Sequence, residues 1–478
     1  MDLYHCAEFK RNTLPLPSDI LKNKFEHKPT KSQLSAFYEI DRFISSTDAR
    51  PTMILKGYAG TGKTSIIATL VQVLPLFNFK FVLLAPTGRA AKVISQYAKK
   101  TAFTIHKKIY KTKSNSDSTG PTFHLTKNYH SDTIFIVDEA SMIASQNGYN
   151  SKSLLHDLVQ HVFENKGNRL LLVGDTGQLP PVHQEESLAL DVSFLRETFR
   201  LSTIGIQLTE ITRQAKNSGI LLNATALRNT LGQKTKNIHF NTNDYKDIFR
   251  MSGERLEDGL RYAHDKFGLE NTLIICRSNK NAVMYNHYIR NTLFFKEDEL
   301  DAGDLLMIAR NNYNFATDQV PSGFLANGDF VEVLKIKRNE ELHGLRFADV
   351  EVRLVDYPDS DSFEAKIILD GLHTHSPALT SEQNQALYKS VLIDYCDLKK
   401  KAQKEAMKED KYLNALQVKY AYALTCHKSQ GGQWDAVFVD QGYLGESTID
   451  NDFVRWSYTA MTRAKNELFL VNFDSRFF

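Results

Sequence analysis

The segment from Gly57 to Thr64, GYAGTGKT, limits what this chain can fold into more than any other stretch of it. It satisfies the phosphate-loop pattern G-x-x-x-x-G-K-[ST], follows the apolar run Met53-Ile54-Leu55, and precedes an apolar helical segment. Such a loop works through its backbone. Glycines let successive N–H groups curl around phosphates, and the helix that starts there adds the positive end of its dipole. Gly57, Ala59, Gly60, Thr61, Gly62, Lys63, Thr64 and Ser65 are therefore candidate nucleotide contacts. Lys63 is expected on the β- and γ-phosphates of ATP, and the Thr64 hydroxyl on Mg²⁺.

The loop belongs to an α/β frame. Short apolar runs without alternation recur at Phe81–Leu84, Ile134–Val137 and Leu170–Val173, as expected of central strands in a parallel sheet covered on both faces. Leu34, Phe37, Asp41 and Ile44 have helical spacing with three apolar members. Ligands of open parallel sheets sit beyond the carboxyl ends of the strands. The run ending at Val137 leads directly into Asp138-Glu139 at such an end. Asp138 is expected to hold Mg²⁺ through water, and Glu139 to polarise the attacking water as general base.

A second α/β region is marked by Leu273–Cys276, Tyr420–Thr425, Val437–Val439 and Leu468–Val471. Within it, Leu305–Ala309, Phe330–Leu334, Val350–Val355 and Phe363–Leu369 are short strand candidates. Turn signals such as Asn327-Gly328-Asp329 and Pro358-Asp359 separate them, which predicts a small β-barrel or sandwich. A charged helical stretch at Lys399–Lys411 returns the chain to the second region. A smaller insert lies between His106 and Ile134, with a loop tip at Ser114–Pro121 and flanks carrying Tyr110 and Phe123 that pair as a hairpin.

Composition excludes some classes and selects none. Hydrophobic residues make up 42% and charged residues 24%, ordinary for a soluble globular chain. No apolar run approaches the ~18 residues of a membrane span, so no membrane partner is expected. The opening MDLYHCAEFKRN is too polar for a secretory leader. Cys6, Cys276, Cys396 and Cys426 are scattered, which fits a reducing cytoplasm and argues against a zinc or iron–sulfur site. A net charge of +3 leaves any nucleic-acid track to local clusters of Lys and Arg.

Further motifs occur in an order that resembles the superfamily 1 helicases, from Gln33 to Arg463. KPTKSQ, ending at Gln33, resembles the upstream glutamine motif that reads the adenine edge. APTGRAAKV (Ala85 to Val93) resembles a motif that holds the DNA strand, which implies DNA contacts from Pro86, Thr87 and Arg89, with Arg89 or Lys92 reaching a phosphate. TIH, Thr104 to His106, resembles the next DNA motif and implicates both of those residues. GDTGQLPPV, Gly174 to Val182, resembles the motif whose glutamine, here Gln178, senses the γ-phosphate and links the ATP cleft to the DNA groove. LTEITRQ and YTAMTRAK supply two arginines, Arg213 and Arg463, which the resemblance directs at the γ-phosphate from the far side of the cleft. A planar cation there offsets charge spreading over the transferring phosphoryl oxygens. YALTCHKSQGGQWDAVFVD (Tyr422 to Asp440) resembles the coupling motif, placing Thr425, His427 and Lys428 near DNA. Asn279 is a further implied DNA contact. Many members carry Glu shortly after the glycine to bind the ribose, whereas this chain has Gln433, whose neutral amide can still bond a hydroxyl.

The HKSQG wording, the compact length and the barrel-like insert resemble the RecD/Dda group. The resemblance implies two RecA-like P-loop cores: residues 1–106 with 132–186, and residues 187–303 with 416–478. A hairpin pin is expected at 107–131, and an SH3-like barrel with a helical return at 304–415. Phe123 or Tyr110 is expected either to stack on a base at the fork or to pack the hairpin. The implied activity is ATP-dependent 5′→3′ movement on single-stranded DNA with unwinding of fork or overhang duplexes, in repair, recombination or replication. The alternative is a DNA-stimulated ATPase that remodels protein–DNA complexes, or a motor subunit with protein partners.

Overall fold

A computed structural model describes residues 16–113, 122–145, 153–212, 217–312, 325–357, 360–444 and 449–478, with backbone alone at 112–113 and 122–123. Six strands form the first sheet in the order Ala102–Thr104, Lys80–Ala85, Thr133–Val137, Arg169–Gly174, Pro51–Gly57 and Ser202–Leu208. Every pairing is parallel. Neighbours along a strand join opposite apolar clusters. Met53, Leu55, Ile134 and Ile136 lie in one cluster, and Ile54, Phe135, Val137 and Leu172 in the other. Both faces are buried, which is why the runs lack polar alternation. Helix Lys31–Ser45 sets Phe37, Ile40 and Ile44 onto the first cluster. A capping box fixes its start, with Gln33 N–H donating to the Thr30 hydroxyl and Thr30 N–H to Gln33 Oε1. Such a cap contributes about 1 kcal/mol.

The second sheet has five strands, all parallel, in the order Ala423–Thr425, Thr272–Cys276, Trp434–Asp440, Ala464–Val471 and Ile248–Met251. The insert closes into a five-stranded barrel of Leu305–Ile308, Phe330–Leu342, Leu345–Leu354, Phe363–Ile368 and Leu416–Tyr420. Its strands pair antiparallel except Phe363–Ile368 with Leu416–Tyr420. One apolar cluster runs through barrel and second sheet together, from Val331 and Val350 to Leu273 and Phe438. The charged stretch folds as helix Lys400–Glu409, preceded by helix Ser381–Asp394.

Two boundaries differ from the sequence reading. Strand Ser202–Leu208 pairs with Pro51–Gly57, so the chain leaves the first sheet after Leu208 rather than at residue 186. The run Tyr420–Thr425, read as one strand, is two. Leu416–Tyr420 closes the barrel and Ala423–Thr425 enters the second sheet, which moves the barrel's end from 415 to 420. Periodicity misses this break because Tyr420, Ala421, Tyr422, Ala423 and Leu424 form one buried apolar run across it.

The smaller insert forms an antiparallel pair, Tyr110–Lys113 with Thr122–Leu125. The Tyr110 hydroxyl donates to Asp157 Oδ2 at 2.6 Å, tying the hairpin's foot to helix Leu154–Val162. The Tyr110 ring is partly buried against the apolar cluster beneath it. The Phe123 side chain lies outside the described residues.

Candidate functional site

The phosphate loop emerges from strand Pro51–Gly57 and ends at helix Lys63–Val73. Gly60 and Gly62 take the left-handed conformation, φ 75° and 82°. At Gly62 a Cβ would also come within 2.5 Å of Gln33 Nε2, so glycine is required there twice over. Gln33 is buried beneath the loop and donates from Nε2 to the Thr61 carbonyl at 3.0 Å, while Oε1 accepts the Thr30 amide. Each end of the amide keeps a second hydrogen-bonding position, and Gln33 lines the cleft described below. The work visible for Gln33 is bracing the loop. Lys63 Nζ donates to the carbonyls of Gly57 and Tyr58 at 2.7 and 3.1 Å, curled over the loop it follows.

Asp138 and Glu139 follow strand Thr133–Val137. Burial pushes the Asp138 carboxyl well above the ordinary aspartate range, and the Glu139 charge adds to the shift. Glu139 holds a left-handed backbone at φ 49°, its N–H donating to Asp138 Oδ1 at 2.9 Å. Such a conformation costs a non-glycine residue on the order of 1 kcal/mol and aims the side chain where a regular turn would not. Glu139 Oε2 and Gln178 Oε1 are buried acceptors without a donor among the described residues. Unpaired buried acceptors of this kind fit a site that orders water. Thr64 and Asp138 add an oxygen-only donor set, the type a hard divalent cation takes when phosphates and water complete its shell.

A cleft of about 1750 Å³ between the two sheets brings these groups together. Gln33, Gly60, Gly62, Lys63, Thr64, Ser65, Asp138, Glu139 and Gln178 line one wall, and Gln433 and Arg463 the other. Arg463 is buried, its guanidinium donating to the carbonyls of Thr459 and Gly432 and to the Thr462 hydroxyl at 3.0–3.2 Å. Arg213 lies outside the described residues, although Ile211 and Thr212 before it line the same cleft. Gly57, Ala59 and Thr61 complete the loop, with the Thr61 hydroxyl donating to the Tyr58 carbonyl at 2.7 Å.

The remaining candidates gather at strand ends along one edge of each sheet. In the first, Pro86 and Thr87 follow Lys80–Ala85, and Thr104 ends the neighbouring edge strand. Thr87 and Thr104 both cap helices, accepting from Ala90 N–H and Lys107 N–H. His106 sits in the short helix after Thr104, its pKa lowered by burial. In the second sheet, Asn279 follows Thr272–Cys276, and Thr425 ends the adjacent edge strand before exposed His427. Lys428 Nζ donates to Asn327 Oδ1 of the barrel at 2.7 Å.

Arg89 requires a correction. Its guanidinium is stacked between the rings of Phe330 in the barrel and Trp434 in the second sheet, 4.3 and 4.0 Å from their centroids. Lys92 is likewise committed, pairing with Asp356 at 3.3 Å. Basic residues after an edge strand suit a phosphate or an inter-domain joint equally, and here the aromatic partners come from far along the chain. Asp329 packs against Gly88 in the same joint, and burial pushes its carboxyl up to about 7.

Sequence reasoning also passed over the direct bonds across the cleft. Tyr458 reaches the phosphate loop, Thr459 Oγ1 accepts from Leu179 N–H at 2.8 Å, and Gln430 Nε2 donates to the Leu179 carbonyl at 2.9 Å. Arg228 lies 3.5 Å over the Tyr58 ring. Tyr458 and Thr459 fall inside YTAMTRAK, but spacing does not reveal which hydroxyl crosses a gap.

Comparison with known proteins gives a consistent picture. Residues 38–244 match the family model described as an AAA domain, and residues 420–471 that of a UvrD-like helicase C-terminal domain. The chain is 23% identical over 470 residues to the ATP-dependent RecD2 DNA helicase of Deinococcus radiodurans, covering 95% of this chain and 51% of that protein. It thus spans about half the length of that relative. It is 21% identical to the RecBCD enzyme subunit RecD of Buchnera aphidicola subsp. Schizaphis graminum, covering 98% of this chain and 76% of the other. A solved structure of Pif1 helicases, concerned with unwinding of forked double-stranded DNA, aligns with a TM-score of 0.50 at 16% identity, covering 94% of this chain and 93% of that one. Among the described residues no helix is long and apolar enough to cross a membrane.

Proposed function

We propose that this chain, a superfamily 1 helicase of the RecD/Pif1-like group, is an ATP-driven motor that travels 5′→3′ on single-stranded DNA and separates the duplex ahead of it. One observation carries the reading. Lys63 and Arg463 face a shared cleft from two different parallel sheets, and only the first sheet carries a phosphate loop. One ATP bound there touches both cores. Lys63 and the loop amides hold its phosphates, Thr64 and Asp138 hold Mg²⁺, and Glu139 with Gln178 orders the attacking water. Arg463 and Arg213 stabilise charge on the transferring phosphoryl group only when the cleft is closed, so hydrolysis favours reopening.

The DNA track of this reading runs along the matched sheet edges, through Pro86, Thr87, Thr104 and His106 on one core and Asn279, Thr425, His427 and Lys428 on the other. Alternating grip at the two edges converts cleft closure into steps. Backbone contacts of this kind position a strand without reading its sequence. Phe123 is the candidate for stacking at the fork. The likeness to a RecBCD subunit supports a second reading, in which the motor works inside a larger assembly.

Direction is tested with duplexes bearing a single 5′ or 3′ overhang, mixed with purified protein and ATP. Unwinding is expected from the 5′ overhang alone. Unwinding only from the 3′ overhang would overturn the direction, and ATP turnover stimulated by DNA without strand separation would favour the remodelling or subunit reading.

The raised Asp138 pKa gives a pH signature. Mg²⁺ binds the ionised carboxylate, so protonation competes with it. The apparent Mg²⁺ affinity, titrated with nucleotide present, is expected to fall about tenfold or less between about pH 8 and pH 6. Asp138→Asn should be weak at both pH values; a wild-type affinity that does not change with pH would remove Asp138 from the metal site.

A further inference from the structure

Helix Asn451–Met461 of the second core delivers Tyr458 across the cleft, with its ring fully buried. The phenol oxygen accepts the Ala59 N–H at 2.8 Å, and the hydroxyl donates to Asp175 Oδ2 at 2.7 Å. Asp175 is itself buried, and its other oxygen accepts Gly177 N–H at 2.8 Å. Gly177 leaves space for the phenol, since a Cβ there would stand 3.1 Å from the ring. Ala59 N–H belongs to the loop whose amides cradle phosphates. In this structure an oxygen of the chain's own second core occupies it.

We propose that the Tyr458 hydroxyl is an internal stand-in for a phosphate oxygen on the Ala59 amide, and that nucleotide displaces it to report loop occupancy to the second core. The proposal rests on the ATP-site reading above and deepens it. Displacement leaves Tyr458 bonded to Asp175, three residues before Gln178, so the tyrosine keeps a partner on the sensing loop while losing its hold on the phosphate loop. The same helix ends just before Arg463, and Thr459 ties its adjacent turn to Leu179. One exchange of hydrogen bonds at Ala59 is thereby felt by both the water-ordering loop and the arginine. Tyr458 is a positioning residue here and takes no part in bond breaking.

A tether and a competitor make opposite predictions. If Tyr458 merely braced the loop, Tyr458→Phe would loosen it and weaken nucleotide binding. As a competitor for the amide, its removal strengthens binding by the worth of one hydrogen bond, roughly 3- to 10-fold. The experiment titrates a fluorescent, non-hydrolysable ATP analogue into wild type and Tyr458→Phe without DNA, with thermal melting to verify the fold. Tighter binding, together with reduced stimulation of turnover by single-stranded DNA, is the expected pair of results. Unchanged or weaker binding overturns the proposal. A second measurement needs no variant: in the wild-type protein, amide hydrogen exchange across residues 451–461 should quicken when the analogue binds, and exchange that slows or stays constant also overturns it. A chain that binds no nucleotide at all would instead refute the ATP-site reading, so the two failures are distinguishable.

Discussion

Replacing Lys63 with alanine is expected to cut ATP turnover at saturating single-stranded DNA by at least about a hundred- to a thousandfold, with DNA affinity nearly unchanged. The lysine is the one cation supplied by the phosphate loop itself, and its ammonium already lies against the Gly57 and Tyr58 carbonyls. Alanine deletes that charge while leaving the glycine conformations at Gly60 and Gly62 intact. The DNA candidates lie on strand ends at the sheet edges rather than on this loop. Turnover assays paired with fluorescence-anisotropy binding of an oligonucleotide separate the two effects. Turnover retained within tenfold would contradict the placement of ATP on this loop.

Glu139→Gln is expected to reduce turnover by about 10²–10⁴ while preserving or tightening ATP binding. Glutamine keeps the shape but lacks a charged oxygen to accept a proton from water. The buried Glu139 Oε2 has no donor among the described residues, so the change breaks no described hydrogen bond of that atom. Nucleotide affinity measured beside single-turnover hydrolysis checks the split. A loss of affinity equal to the loss of rate would assign Glu139 to binding instead of water activation.

How far the sequence could be read depended on where each interaction's partners lie. The phosphate loop is legible because a backbone wrapped around phosphates demands glycine at set positions, as the Gly62 φ and its contact with Gln33 bear out. The four inner strands of the first sheet are legible because burial on both faces leaves their middles, Met53–Leu55, Phe81–Leu84, Ile134–Val137 and Leu170–Val173, as uninterrupted apolar runs. The two edge strands are the exceptions: Ala102–Thr104 is only three residues long, and Ser202–Leu208, with Ser202, Ile204, Ile206 and Gln207 partly or fully exposed, lacks the uniform apolar run. Arg89 was misread because a stacking site made by Phe330 and Trp434 exists only after barrel and second sheet assemble. The bond from Gln33 to Thr61 was likewise hidden in the sequence, since it depends on how the helix packs under the loop. Tyr458 lay in a motif already singled out, yet its partners Ala59 and Asp175 are several hundred positions earlier in the chain.

Between the last barrel strand and the second sheet the chain spends only Ala421 and Tyr422, and both are bonded: Ala421 N–H to the Leu305 carbonyl, and the Tyr422 carbonyl to Ile274 N–H. With no slack in that link and one apolar cluster running through both, barrel and second core are packed as a single arm. The Arg89 guanidinium, projecting from the first core, enters this arm where its two halves meet, like the ball of a ball-and-socket joint. In the proposed motor, force generated at the ATP cleft would have a fulcrum there, and a bulky or uncharged residue at position 89 is expected to change the arc of the stroke.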